Sequence, residues 1–525
     1  MKISEAPRSD FKQFSGFSKA FTDQNEFESF LSKPLNSVND LKSQAEQKLA
    51  VYPKESRRIL QQVLCDQMLE FASESQRKNL GLLSGDNTVT ITTGHQLTLF
   101  GGPLYLVYKV MHVVKLVEAF NAASVDQKAV PVFWMASEDH DFEEISSALL
   151  FNRELKWVTE QKGAVGRMHT TELKEVHTQL AELFTGKETV IQNLLSIPVD
   201  ENYGTYFQRF LIAVFADYGV LVLQPDSRAL KELFIPAILS ELEADKSLKA
   251  VEEMNASLES AGYSPQAMAR NCNLFLLKDG ARTRIDRIEK GFAVDGEVFS
   301  LEQLQEMART APESFSPNVI LRPVYQETVL PNICYVGGGG EMAYWVQLKK
   351  VFETKNVLFP LIAQRNSVIL IDGGTEKKLQ AMNLSWPDFK DDKEQLKKNQ
   401  LALLSGDDVN FEEISTALNS LKNAMVDKAA KTDKSLESFA EAEVVRLQKQ
   451  IENFEQRIIK QVKQKNEVQL KQIDAIAEKL FPSGGLQERH FHWLHFAPSG
   501  NFDELFKAIY EGIEPFNSNF IAIRC

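Results

Sequence analysis

The chain is poor in cysteine and has no long apolar run. Its four cysteines, Cys65, Cys272, Cys334 and Cys525, are scattered over 525 residues without a CxxC pair. That spacing excludes a disulfide framework and a cysteine-rich zinc site, and it fits free thiols in a reducing cytoplasm. No stretch approaches the roughly 20 apolar residues of a membrane-spanning helix. The N-terminal run MKISEAPRSDFKQF mixes charges from its start, unlike a secretory leader. Basic residues are outnumbered: 59 Lys and Arg face 72 Asp and Glu, for a net charge of −13. That balance disfavours nonspecific binding to nucleic acid or to an anionic membrane, while leaving room for a local basic pocket. GxSxG, HExxH and a Walker A lysine motif are absent as well.

What is present reads as a large α/β protein. A length of 525 residues suggests two or three domains, and 43% apolar with 25% charged residues is ordinary globular composition. Residues 1–85 are expected to be mostly helical, with helix-spaced apolar positions over 57–80 and Gly81 after them. Strand-like runs then alternate with helical ones. The runs are Thr88–Thr93, Val130–Met135, Gly219–Leu223, Asn273–Leu277 and Val357–Ile362, and Leu104–Phe120 is a helix among them. Such alternation predicts a doubly wound parallel sheet with helices on both faces. Residues 151–200 and 279–315 interrupt it and read as insertions.

Glycine and proline are missing from Asp407 to Phe481. Apolar residues recur there at Phe411, Ile414, Leu418, Leu421 and Met425, and again at Val444, Leu447, Ile451, Phe454 and Ile458. Steps of three and four make a heptad seam. The break around Lys428–Ser435 predicts a helical hairpin whose second helix runs roughly 45 residues, about 70 Å. The first helix, a second subunit or both must cover that stripe, and a homodimer contact is expected.

The candidate chemistry lies at strand ends. Gly337, Gly338, Gly339 and Gly340 follow an apolar run and lead into a helical pattern that carries Glu341 and Tyr344. A strand, a glycine loop and a helix N-terminus suit an anion, although a tight turn without a ligand has the same pattern. His95 and Gln96 end the run TVTITTGHQ, where a histidine is placed to meet developing phosphate charge as donor or cation. Glu138, Asp139, His140 and Asp141 follow VPVFWM and offer a proton acceptor, a hold on an amine or ribose hydroxyls, or ligands for Mg²⁺. Arg322, Tyr325, Gln326 and Arg365 add donors, the arginines being suited to carboxylates. In a parallel sheet the loops after 93, 136, 223 and 336 meet in one crevice. His490, His492 and His495 form HxHxxH on an expected helix. Positions i and i+2 do not share a helix face, so no metal centre is expected there.

Four blocks in order, TTGHQLTLFGGPLYLVYK (92–109), VPVFWMASEDHDFEEI (130–145), LRPVYQETVLPNICYVGGGGEMAYW (321–345) and LFPSGGLQER (480–489), resemble the cysteine-adding enzymes of bacillithiol biosynthesis over essentially the whole chain. The resemblance implies a Rossmann-like core at 1–385 with two connecting-peptide insertions at about 151–200 and 279–315. It also implies a helical coiled-coil domain at 386–480 that supports a homodimer, and a return to the core at 481–525. The implied activity joins the carboxyl of cysteine to the amine of glucosaminyl-malate. Activation by ATP is the usual device on this core, with Mg²⁺ to spread phosphate charge. The family pattern carries glutamine where this chain has His95, so the implied role there is binding. A proline expected before Arg365 is also missing. The competing expectation is a non-catalytic nucleotide- or thiol-binding partner that uses the helical arm as its interaction surface.

Overall fold

Short runs rich in β-branched and aromatic residues become the five strands of one parallel sheet. In chain order they are Thr88–His95, Lys128–Met135, Leu221–Leu223, Asn332–Gly337 and Leu361–Gln364. Their side chains are buried almost throughout, as expected for a sheet covered on both faces. Counted in chain order, the strands lie 3-2-1-4-5 across the sheet. The order reverses between Thr88–His95 and Asn332–Gly337. The chain therefore leaves these two neighbours in opposite directions and opens a crevice beyond His95 and Gly337, the ligand position of doubly wound sheets. A computed structural model gives this fold and describes residues 2–151, 153–185, 188–199, 201–405, 410–497 and 502–525.

The chain divides into two compact units. The larger comprises 1–10, 14–370 and 486–525, and the smaller 11–13 and 371–485. In the larger unit Leu104–Ala123 is apolar on nearly every side and buries most of its length beside the first two strands. Val89 and Ile91 of the central strand meet Val113 and Leu116 of that helix, Leu41 of Val38–Val51, and Ile333 and Val336 of the neighbouring strand. A second sheet joins Lys2–Ala6 to Phe520–Arg524, which also neighbours Ser367–Ile371.

Several elements depart from the sequence expectation. Leu274–Lys278 does not enter the parallel sheet; it pairs antiparallel with Ala281–Arg284 and Phe315–Pro317. Its continuous apolar run suits either sheet, and only the partners decide. Residues 322–329 are a helix, Arg322–Val329, with Pro323 in its first turn, where a missing N–H costs nothing. The run over 57–80 is two helices, Lys54–Met68 and Glu74–Leu83, and Gly81 lies inside the second. Residues 151–200 hold the strand Arg153–Lys156, paired with Ser147–Leu150, and the helices Leu173–Leu183 and Glu188–Leu195; 152, 186, 187 and 200 lie outside the described residues.

In the smaller unit, Glu412–Thr432 runs back along Glu437–Lys465 through a turn at Asp433–Leu436. The expected hairpin forms, although positions 407–409 of the glycine-free stretch lie outside the described residues. The second helix is shorter than the seam implies, because Asn466 leaves helical geometry and Glu467–Leu480 continues as a separate helix. Within the chain the seam is only half covered: Val444 is buried, while Leu421 is 48% and Phe454 50% exposed. Among the described residues no helix is long and apolar enough to cross a membrane.

Replacing Ile91 by alanine should cost about 2–5 kcal/mol, since it empties a fully buried position on the central strand. Val125→Ala, at 88% exposure, should change stability by less than about 0.5 kcal/mol. Urea denaturation followed by fluorescence measures both, and equal midpoints would contradict this packing.

Candidate active site

The crevice at the reversal point is a cavity of about 590 Å³, lined by the strand ends and by side chains from distant segments. His95, Gln96, Glu138, Asp139, Arg322, Gly338, Gly340, Glu341, Tyr344 and Arg365 all border it. His140, Asp141, Tyr325, Gln326, Gly337 and Gly339 do not. Each of these has a structural reason. His140 lies outside the cavity, its Nδ1 beside Arg282 Nη1 at 2.9 Å. Asp141 caps the short helix Phe142–Ile145 through the Glu144 N–H. Tyr325 is buried against Trp134 and donates its hydroxyl to Pro225 O at 2.7 Å. Gln326 stands behind Arg322, accepting its Nη1 at 3.1 Å. Gly337 and Gly339 permit close approach: a Cβ would lie 2.6 Å from Met342 Cε at the first and 2.8 Å from Ser18 Cβ at the second.

The glycine loop does hold an anion, but the anion belongs to the chain. Glu341, in the first turn of Gly339–Trp345, accepts the Gly338 N–H at 2.9 Å and the Tyr335 hydroxyl at 2.6 Å. It also pairs with Lys109. Burial opposes its charge, but Lys109 and these hydrogen bonds outweigh it and hold the carboxyl at about 2. Lys109 rises from Leu104–Ala123, is almost fully buried, and donates to Gly94 O at 3.0 Å. Tyr105, one turn earlier, carries the His95 ring on its edge, and Arg365 Cζ lies 5.4 Å from its centroid.

Two nitrogens of lining residues have no partner among the described residues: the enclosed His95 Nε2 and Arg365 Nε. The rest of Arg365 is committed, with Nη2 to Glu488 Oε1 at 2.5 Å and Nη1 to Asn366 O at 3.0 Å. Burial first, then Lys109, pushes His95 down to about 3. The ring is neutral near pH 7, so it meets a ligand as a neutral donor or acceptor, which corrects the cationic role weighed from sequence. Arg322 donates to Tyr344 Oη at 3.2 Å and lies over the Tyr335 ring.

A second group of lining residues carries the acceptors Glu138, Asp139 and the Gln96 carbonyl oxygen. Glu138 is buried and pairs with Lys231 Nζ at 2.5 Å, and Lys231 also donates to Phe315 O. Burial raises the Glu138 carboxyl despite that lysine. Gln96 Nε2 donates to Asp139 Oδ2 at 2.5 Å. Asp139 accepts only, so the Gln96 carbonyl oxygen must turn the other way, and it has no partner among the described residues. Burial works against the Asp139 charge, but Gln96 and then Arg282 lower its pKa on balance. Arg282, from the second antiparallel sheet, is fixed over the Phe275 ring and by Pro317 O and Ser316 Oγ. No group of three or more His, Cys, Asp or Glu able to hold a metal occurs among the described residues. HxHxxH is not one helix: His490 ends Gln487–His490, His495 lies in the turn Trp493–Phe496, and buried His492 accepts the Leu494 N–H.

Sequence reasoning missed Tyr105, Lys109, Glu144, Arg282, Tyr335 and Arg489, which also border the cavity. Lys109 had a signal, as a lone charge in the apolar run LYLVYKVMHVV. Arg282 had none, because its hairpin reaches the crevice only in three dimensions.

A Rossmann-like core whose switch-point cavity sets acceptors against cations defines a small-molecule enzyme of the doubly wound class. Family models agree in detail: the N-terminal Rossmann-like domain of bacillithiol biosynthesis BshC matches residues 4–366, and its C-terminal coiled-coil domain matches 368–525. The chain belongs to the BshC family. Proteins named "Putative cysteine ligase BshC" are similar to it in Flavobacterium johnsoniae (37% identical, covering 85% of each chain), Flavobacterium psychrophilum (36%, 93% of each) and Christiangramia forsetii (34%, 92% of each).

Neutral His95 gives a pH prediction. Its folded pKa lies below the ordinary value of about 6.5, so the unfolded chain takes the proton first as pH falls. The stability tied to neutral His95 is complete above about 6.5 and is lost as pH drops from there toward about 3. His95→Gln should therefore lose less stability between pH 7 and 5 than the parent, by at most about 1.4 kcal/mol per pH unit. Parallel stability–pH curves for the two proteins would contradict the assignment.

Proposed function

We propose that this chain joins the carboxyl of cysteine to the amine of glucosaminyl-malate, with ATP activating the carboxyl. The observation that carries the reading is one cavity lined both by cations, Arg322 among them, and by acceptors, the Gln96 carbonyl oxygen and Asp139. Malate brings two carboxylates, which suit Arg322 and the other cations of the lining. The sugar amine suits the Gln96 carbonyl oxygen and Asp139, both turned to accept. The relatives' name, cysteine ligase, supplies the second substrate and the bond formed.

The fit to ATP rests on His95 Nε2 and the donor Arg365 Nε, buried nitrogens without partners among the described residues. ATP supplies a phosphate leaving group that makes the cysteine carboxyl an acylating agent. Mg²⁺ does not fit as a protein-caged ion. Glu138 is committed to Lys231 and Asp141 to a helix cap, so any such ion takes phosphate and water ligands. The attacking amine must lose a proton. His140 and Asp141 are off the cavity and Asp139 is a weakened base, so the role passes to Glu144, a cavity carboxylate raised by burial, Asp141 and Asp139. Cys65, Cys272 and Cys334 form no disulfide, which fits a cytoplasmic setting.

Turnover tests the reading. Purified protein given ATP, cysteine and glucosaminyl-malate should release pyrophosphate or ADP only when both other substrates are present, and form the amide. Arg322→Gln should raise KM for glucosaminyl-malate roughly tenfold to a hundredfold, the worth of a charged hydrogen-bonded pair. Glu144→Gln should lower kcat about a hundredfold. Nucleotide turnover that ignores glucosaminyl-malate would sink the proposal.

We also propose that a second copy of the chain covers the half-exposed seam, because Leu421 and Phe454 continue the heptad repeat and lie open within one chain. Sedimentation at micromolar concentration should give a dimer, and Leu421→Asp with Phe454→Asp a monomer. A monomeric parent protein would contradict this.

A further inference from the structure

One buried charge pair has no part in the reaction above. Lys48 Nζ lies 3.9 Å from Glu327 Oε2, both side chains being almost wholly buried, and it donates to the Glu327 backbone oxygen at 2.7 Å. Such a pair seldom adds stability over apolar residues of the same volume, so its further contacts carry the interest. Glu327 Oε1 accepts from Gln326 Nε2 at 2.9 Å and from Asn332 Nδ2 at 2.8 Å. Two amide nitrogens converge on Oε1, which makes it an acceptor, so the Gln326 amide presents its NH₂ to Glu327. Its carbonyl oxygen then faces the other way, where it accepts Arg322 Nη1 at 3.1 Å. A guanidinium only donates, so the Gln326 amide can bridge Glu327 and Arg322 in this sense alone.

We propose that Glu327 is a positioning residue for Arg322: it sets the sense of the Gln326 amide, and that amide aims the guanidinium into the cavity toward the carboxylates of the acceptor substrate. The inference rests on the acceptor reading given under the proposed function. Glu327 does not border the cavity, so it acts only through its neighbours. Of the five guanidinium donors, two go to Gln326 and Tyr344, and the others remain for a ligand.

Steady-state kinetics on Glu327→Gln, Gln326→Met and Arg322→Gln, singly and paired with Arg322→Gln, separates positioning from support of the fold. An amide at 327 is a neutral, weaker acceptor and can also turn its nitrogen to Gln326, so the hold on the Gln326 amide is weakened. Glu327→Gln should raise KM for glucosaminyl-malate roughly tenfold while kcat and KM for cysteine stay within about twofold. Gln326→Met leaves the buried pair in place and should do the same. If Glu327→Gln does not fold, the Gln326→Met comparison decides. In the Arg322→Gln background neither change should raise KM further. Unchanged KM values, equal rises for both substrates, or full additivity with Arg322→Gln would overturn the proposal. A parent protein that ignores glucosaminyl-malate would refute the acceptor reading itself, and the positioning role with it. Active parent protein with unaffected variants would refute the positioning role alone.

Discussion

The ion pair between Lys109 and Glu341 is the contact on which the site depends. Lys109 belongs to the helix that follows the first core strand, and Glu341 to the helix that follows the fourth. Their pairing therefore ties together the two chain exits that the reversal of strand order drives apart. A buried pair is weak evidence for stability, but this one has its remaining valences filled. Lys109 also holds Gly94 O, and Glu341 also holds the Gly338 N–H and the Tyr335 hydroxyl. The glycine loop is thus fixed by an internal carboxylate, and ligand recognition passes to the side chains around it.

Those side chains are arranged by partners that leave one polar sense open. Asp139 turns the Gln96 carbonyl oxygen outward, and Glu327 turns the Gln326 carbonyl oxygen toward Arg322. Glu488 takes one end of Arg365 and leaves Nε without a partner among the described residues. In each case a carboxylate orients a neighbour, and that neighbour or the next faces the cavity. The cavity can therefore present both acceptors and donors while the protein as a whole stays acidic.

The sequence made the frame legible and hid much of the lining. TVTITT and VPVFWM read as buried strands because β-branched and aromatic residues fill both faces, and parallel strands bring their ends together. His95, Glu138, Arg322 and Gly338 accordingly border one cavity. The glycine run was readable as an anion loop, but the competing carboxylate sat in plain view three residues after Gly338. The heptad seam revealed the helical hairpin, while the stop at Asn466 left no mark, since asparagine is neither a strong former nor a strong breaker. Leu274–Lys278 is an apolar run like the core strands, and nothing local says which sheet will take it. Arg282 and Arg489 reach the cavity from far along the chain, a convergence that spacing does not encode.

The central claim is that one cavity orients an acidic amine through Arg322 on one side of the ligand and the Gln96–Asp139 pair on the other. A crystal structure with glucosaminyl-malate bound tests it most directly. The account predicts the malate carboxylates within hydrogen-bonding distance of Arg322 and the amine directed at the Gln96 carbonyl oxygen and Asp139. A ligand bound outside this cavity, or lying in it with the amine against Arg322, would contradict the account.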